Sequence, residues 1–158
     1  MTGIDLATAC DIRLCASNTR FCVKEVDIGL AADVGTLSRI PKVVGGLTSW
    51  LKEVCMTARE FTAEEAVHNR FVSRSVQGGK EQLIQEGIKL AKLIATKSPV
   101  AVQGTKNILD AAWGRTVADN LNYTAIWNSA MVQCKQFNSL RSMLWLTVRQ
   151  ARTRSEPC

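Results

Sequence analysis

The spacing of apolar residues changes once along the chain, near residue 80, and that change limits what it can fold into. Upstream, apolar residues come in short runs that alternate or stop after a few positions. Residues 11–16 place Ile12, Leu14 and Ala16 on one face, which predicts a strand. Asn18-Thr19 marks a turn, and residues 21–26 read as a second strand, with a third at 71–76. Downstream, Leu83, Gly87, Leu90 or Ala91, and Ile94 recur at helical spacing and predict a helix over 80–96. Ser98-Pro99 starts another helix to about residue 113, and the capping box Thr116-x-x-Asp119 opens one reaching about 132. A second capping box, Thr62-x-x-Glu65, opens a shorter helix to about 69. Two more helices are predicted at 34–43 and 49–56, each next to glycine. Short strands alternating with helices, followed by a helical end, argue for an α/β fold.

Three carboxylates sit where this pattern does not want them. Residues 3–10 are nearly all apolar or small, so Asp5 must be paired or kept neutral to be buried there. In the predicted strand 21–26, Phe21, Val23 and Glu25 share a face, so Glu25 continues a row aimed at the core. Asp33 follows Ile28-Gly29-Leu30-Ala31-Ala32, whose small residues allow close approach of a backbone or ligand. It reads equally as the N-cap of the helix at 34–43 and as a catalytic group. Burial and like charge are the means by which proteins tune carboxyls for proton transfer.

Other chemistries lack their residues. Six cysteines include no C-x-x-C pair, and the single His68, in EEAVHNRF, reads as an exposed helix-end residue. Common zinc patterns and Ser/His/Asp or Cys/His relays are therefore excluded. The cysteines lie in apolar stretches and read as reduced, buried and small. G-x-G-x-x-G, Walker and G-x-S-x-G motifs are absent. Residues 1–79 balance nine Lys/Arg against nine Asp/Glu, whereas 80–158 hold eleven against five. This basic half reads as solvated helix surface and a loose tail. No Lys/Arg run is interleaved with aromatics, so nucleic acid is not an expected partner. Nor is a membrane, because no stretch approaches the roughly 18 apolar residues of a span.

GIDLATACDIRLCA, KEVDIGLAADVGTLSRIPKVVG, ARxFTAEEA followed by FVSR, KSPVAVQGTK and LNYTAIWN together resemble the crotonase (enoyl-CoA hydratase/isomerase) superfamily, over about residues 2–135. The resemblance implies the C-terminal part of a ββα spiral at 1–96, carrying the active-site loop. A helical trimerisation segment would follow at 97–140, and 141–158 is a divergent basic tail. Within the superfamily, Asp5, Glu25 and Asp33 are similar to the acidic trio of Δ(3,5)-Δ(2,4)-dienoyl-CoA isomerases. That likeness implies isomerisation of 3,5-dienoyl-CoA to 2,4-dienoyl-CoA in fatty-acid β-oxidation.

By the same likeness Asp33 is the base and Glu25 the acid, roles that the sequence would equally allow reversed. Asp5 would lie close by and help keep one carboxyl protonated. Backbone N–H groups at Thr2 and Gly3 would contribute to an oxyanion hole, although Thr2 stands where the family has glycine. The family's N-terminal half supplies the other donor and most of the CoA pocket, and the chain is expected to correspond to the remainder. Strands separated from that half would carry unpaired edges. No metal or redox cofactor is implied, since CoA enters as the substrate's thioester. Partners would be an acyl-CoA and further copies in a trimer or hexamer, with Trp113, Tyr123 and Trp127 as anchors or as ordinary core.

The compartment implied is mitochondrial or peroxisomal, although no targeting signal or Ser-Lys-Leu ending is seen. Two other readings stay open: a non-catalytic form that associates with crotonase-fold subunits through 97–135, and an enoyl-CoA hydratase. Hydration does not need an acid at Asp33, so that side chain discriminates.

Overall fold

The computed structural model describes residues 2–46 and 48–132. The chain divides into two compact units, residues 1–89 and the part from Leu90 onward. The first unit opens with helix α1 (Thr2–Ala9), strand β1 (Leu14–Ala16) and strand β2 (Arg20–Phe21). A 3-10 turn at Glu25–Ile28, helix α2 (Thr36–Val44) and helix α3 (Ser49–Thr57) follow. Strand β3 (Phe61–Thr62), helix α4 (Ala63–His68), strand β4 (Arg74–Val76) and the first part of helix α5 (Lys80–Ala95) complete it. The second unit holds helices α6 (Pro99–Ala112) and α7 (Val117–Met131).

β1 pairs parallel with β4, matching Leu14 to Arg74 and Ala16 to Val76. β2 pairs antiparallel with β3, which sets Phe21 opposite Phe61. That cross-strand pair anchors the core of the first unit: the rings stack at 5.2 Å, and Phe71 and Trp50 meet Phe61 edge-on at 5.9 and 5.3 Å. Such pairs add about 0.5–1.5 kcal/mol each beyond burial. Ile40, Val54, Phe61 and Phe71 are almost wholly buried in this core.

The capping signals perform as read. Thr62 Oγ1 accepts from the Glu65 N–H at 3.1 Å, Thr116 Oγ1 from Asp119 at 3.2 Å, and the Ser98 side chain caps α6. Leu83, Gly87, Leu90 and Ile94 form the half-buried stripe of α5. Gly104 on α6 faces the Trp127 indole of α7 so closely that a Cβ would lie 2.3 Å from Nε1. Tyr123 lies 6.5 Å from Trp127 and carries the Arg115 guanidinium over its ring, while Trp113 is exposed.

Strand extents need correction. The strand expected at 21–26 ends at Phe21, and Glu25 opens a 3-10 turn that the left-handed Gly29 (φ 77°) closes. Val23 and Glu25 are nevertheless buried, so the row toward the core survives without a ladder. The strands at 11–16 and 71–76 shrink to three residues each. Phe71 instead donates its N–H to Ala66 O at the end of α4 and fills the core. The two-residue β3 was not foreseen, being too short for a periodicity to register. Of the cysteines, Cys15 is buried and Cys22 and Cys55 are half-buried, but Cys10 is exposed. His68 is exposed at the end of α4, as expected. Among the described residues no helix is long and apolar enough to cross a membrane. The tail expected at 141–158, and the end of the segment expected at 97–140, lie outside the described residues.

Candidate active site

Glu25 is only 8% exposed, yet its carboxyl makes no hydrogen bond or ion pair among the described residues. It lines a cavity of about 370 Å³ between the 3-10 turn, α2 and α3. The walls are apolar: Val23, Val26, Ala31, Ala32, Leu37, Ile40, Pro41, Leu51 and Met56. Lys52 and Cys55, one turn apart on α3, are the other lining residues. Burial pushes the Cys55 thiol up from its ordinary range, and the charge of Glu25 adds to that. A larger depression of about 730 Å³ runs along the start of α5, but solvent-facing Glu81, Gln82, Gln85 and Lys89 dominate its lining. Of these two, the cavity at Glu25 combines apolar walls with a largely buried acid that makes no hydrogen bond or ion pair among the described residues.

Asp33 occupies the turn just beyond Ala31 and Ala32 and is exposed, without a hydrogen-bond or ion-pair partner among the described residues. It does not cap α2, contrary to the cap reading. The helix starts at Thr36, with Gly35 at the N-cap in a left-handed conformation and no side-chain cap. The free N–H of Thr36 is met instead from 31 residues away, by Asp5 Oδ1 at 2.9 Å. Thr36 Oγ1 also donates to that oxygen. Asp5 is thus buried at 5% exposure and satisfied, as a carboxylate in an apolar helix must be. No hydrogen bond or ion pair joins Asp5, Glu25 and Asp33 directly.

Arg39, from the second turn of α2, ties the same place together. Its Nη2 donates to the carbonyls of Asp5 at 3.1 Å and Val34 at 3.4 Å and lies 3.9 Å from Asp5 Oδ1; its Nε donates to Thr8 Oγ1 at 3.1 Å. Thr8 returns a bond to Asp5 O at 2.8 Å. Thr36, Arg39 and Thr8 escaped the sequence reading, because their partners lie 31 to 34 residues away. The one local signal was Gly35 just before Thr-Leu-Ser-Arg. Thr2 and Gly3 belong to the first turn of α1, where backbone N–H groups have no partner within the helix. Gly3 is exposed, and a Cβ there would meet nothing within 4 Å.

The sequence matches the enoyl-CoA hydratase/isomerase family over residues 2–143. The chain belongs to that family. It is 52% identical over 131 residues to the human mitochondrial Δ(3,5)-Δ(2,4)-dienoyl-CoA isomerase, an alignment covering 83% of this chain and 39% of the human protein. The peroxisomal Δ(3,5)-Δ(2,4)-dienoyl-CoA isomerase of Arabidopsis thaliana is 43% identical over 136 residues, covering 86% of this chain and 48% of the relative. In structure, a probable enoyl-CoA hydratase/isomerase from Mycobacterium abscessus superposes with a TM-score of 0.80 at 23% identity, over 92% of this chain and 56% of that one. This last likeness establishes the fold. The chain therefore spans less than half the length of the curated relatives it matches. Membership in the hydratase/isomerase family accords with an α/β chain whose acids lie on one loop and one short helix.

Proposed function

We propose that this chain carries the proton-transferring side of an enzyme site that isomerises 3,5-dienoyl-CoA to 2,4-dienoyl-CoA. The observation that carries the reading is Glu25: a largely buried glutamate whose carboxyl, with no hydrogen-bond or ion-pair partner among the described residues, opens onto an apolar cavity next to the turn that bears Asp33. A fatty acyl chain suits those walls, and an unengaged acid suits proton delivery to a carbon otherwise out of reach of water. The relatives at 52% and 43% identity, both named as this isomerase, support the same choice over a hydratase.

In the reaction, Asp33 takes a proton from the carbon next to the thioester and leaves a conjugated trienolate. Glu25 gives a proton to the far carbon of the diene, which shifts both double bonds toward the thioester. Proton exchange through solvent restores the two carboxyls. Negative charge on the thioester oxygen is met by backbone N–H groups, for which the first turn of α1 at Thr2 and Gly3 is the candidate in this chain. The substrate brings CoA as its thioester, and the scheme uses neither a metal nor a redox cofactor. The setting is fatty-acid β-oxidation, in a mitochondrion or peroxisome as in the named relatives.

The test is conversion of 3,5-dienoyl-CoA to the 2,4-isomer, followed by absorbance, for this chain and for Asp33→Asn. Turnover that Asp33→Asn abolishes supports the reading; wild-type rates in a folded Asp33→Asn chain sink it. A folded chain without turnover would favour a second reading, association with crotonase-fold subunits. Exposed Leu109, Val117, Leu121 and Ile126 on α6 and α7 favour that alternative. Light scattering of the chain mixed with such a subunit decides it.

A further inference from the structure

We infer that Thr36 and Arg39 are positioning residues that clamp the Asp33 turn onto α1. Asp33 has no bond of its own among the described residues, so its place is inherited from Val34, Gly35 and Thr36. Thr36 and Val34 are both held. Thr36 is 1% exposed and gives both its N–H and its Oγ1 to Asp5 Oδ1. Val34 O accepts from Arg39 Nη2 at 3.4 Å, and the same nitrogen reaches Asp5 O at 3.1 Å.

Gly35 is what lets the guanidinium pass. At φ 114° it takes a backbone conformation that L side chains avoid, and a Cβ there would lie 2.3 Å from Arg39 Nη1. Arg39 then crosses the bare Gly35 backbone to reach α1, where Thr8 Oγ1 accepts from its Nε at 3.1 Å. A glycine that makes room, a buried threonine that donates twice and an arginine that reaches three acceptors converge on one turn. In this arrangement Asp5 is the receiving post of the clamp, since its Oδ1 accepts both Thr36 donors.

The catalytic part of this inference rests on the isomerase reading; the mechanical part does not. Proton transfer needs the base held to within about 0.5 Å, and a misplacement of about 1 Å can cost about a hundredfold in rate. The test compares the whole chain with Thr36→Val, Thr36→Ser and Arg39→Met in two measurements. With 3,5-dienoyl-CoA, Thr36→Val and Arg39→Met should lower kcat about 10- to 100-fold with KM within about twofold, while Thr36→Ser, which keeps the hydroxyl, recovers most of the rate. In hydrogen exchange read by mass spectrometry, the peptide spanning 33–36 should exchange about tenfold faster in Thr36→Val and Arg39→Met and as in wild type in Thr36→Ser.

Wild-type kcat together with wild-type exchange in both disruptive variants would overturn the clamp. Failure of the wild-type chain to turn over would count against the isomerase reading alone. The exchange measurement then decides the clamp, and unchanged exchange overturns it. Should Thr36→Val fail to fold, Arg39→Met carries the same comparison, because its side chain is 37% exposed and leaves the core intact.

Discussion

Asp5 and Glu25 are buried to nearly the same degree, at 5% and 8% exposure, and their surroundings are opposite. Around Asp5, α1 and the start of α2 supply two Thr36 donors to one oxygen and the Arg39 guanidinium 3.9 Å from it. Around Glu25, the 3-10 turn, α2 and α3 supply apolar walls and an open volume. The first region turns a carboxylate into a fastening; the second leaves one idle. Burial by itself therefore does not mark a catalytic acid. Under the proposed function, what separates the fastening from the reagent is whether the buried oxygens already have donors.

That contrast can be broken, and the sharpest way is at Glu25. Glu25→Gln should lower turnover of 3,5-dienoyl-CoA by about 10²- to 10⁴-fold, the usual weight of a general acid. Unfolding free energy should stay within about 0.5 kcal/mol of wild type, because no donor among the described residues loses its acceptor. A stability loss of about 2 kcal/mol in urea titrations would mean that Glu25 is a fastening too.

Asp5→Ala should show the reverse balance in stability. Two buried donors lose a charged acceptor, which costs about 2–3 kcal/mol in urea unfolding. The Arg39 pair adds little to this, since it is long and its arginine is partly exposed. An Asp5→Ala chain as stable as wild type would dissolve the distinction between the two regions.

Glu65 offers the smallest effect and an intermediate case. Hydrogen bonds from Arg59, at 2.5 and 3.2 Å, hold its carboxyl below the usual glutamate range, with the Trp50 indole N–H at 2.6 Å assisting. Because the folded-state pKa lies below the unfolded one, the stabilisation is present above the ordinary glutamate range and is lost as pH falls through the folded value. Glu65→Gln should therefore cost less than Asp5→Ala near neutrality, and nothing once both forms are protonated. A gap between wild type and Glu65→Gln that widens on acidification would contradict this.

Legibility followed distance along the chain. The caps at Thr62, Ser98 and Thr116, and the stripe Leu83, Gly87, Leu90 and Ile94, depend on partners within four residues, so the sequence announces them. The strands were placed in the right neighbourhoods but drawn too long. A strand ends where its ladder partner ends, and β1 finds β4 some 60 residues on. Glu25 was singled out for an apolar row that proved to be buried, although the row is not a strand. For Asp33 the local choice between cap and reagent could not be made, because the group that meets the α2 N-terminus is Asp5 on another helix.

By itself, then, the sequence determined most of the helices, the caps at Thr62, Ser98 and Thr116 and the presence of acids among apolar neighbours, together with a family likeness over most of its length. These rest on hydrogen bonds and side-chain contacts between residues three or four apart. Only the tertiary structure decided which acid is fastened and which is free. A carboxylate's state depends on the donors that surround it in space, and here those donors come from a helix 31 residues away for Asp5, and from nowhere among the described residues for Glu25.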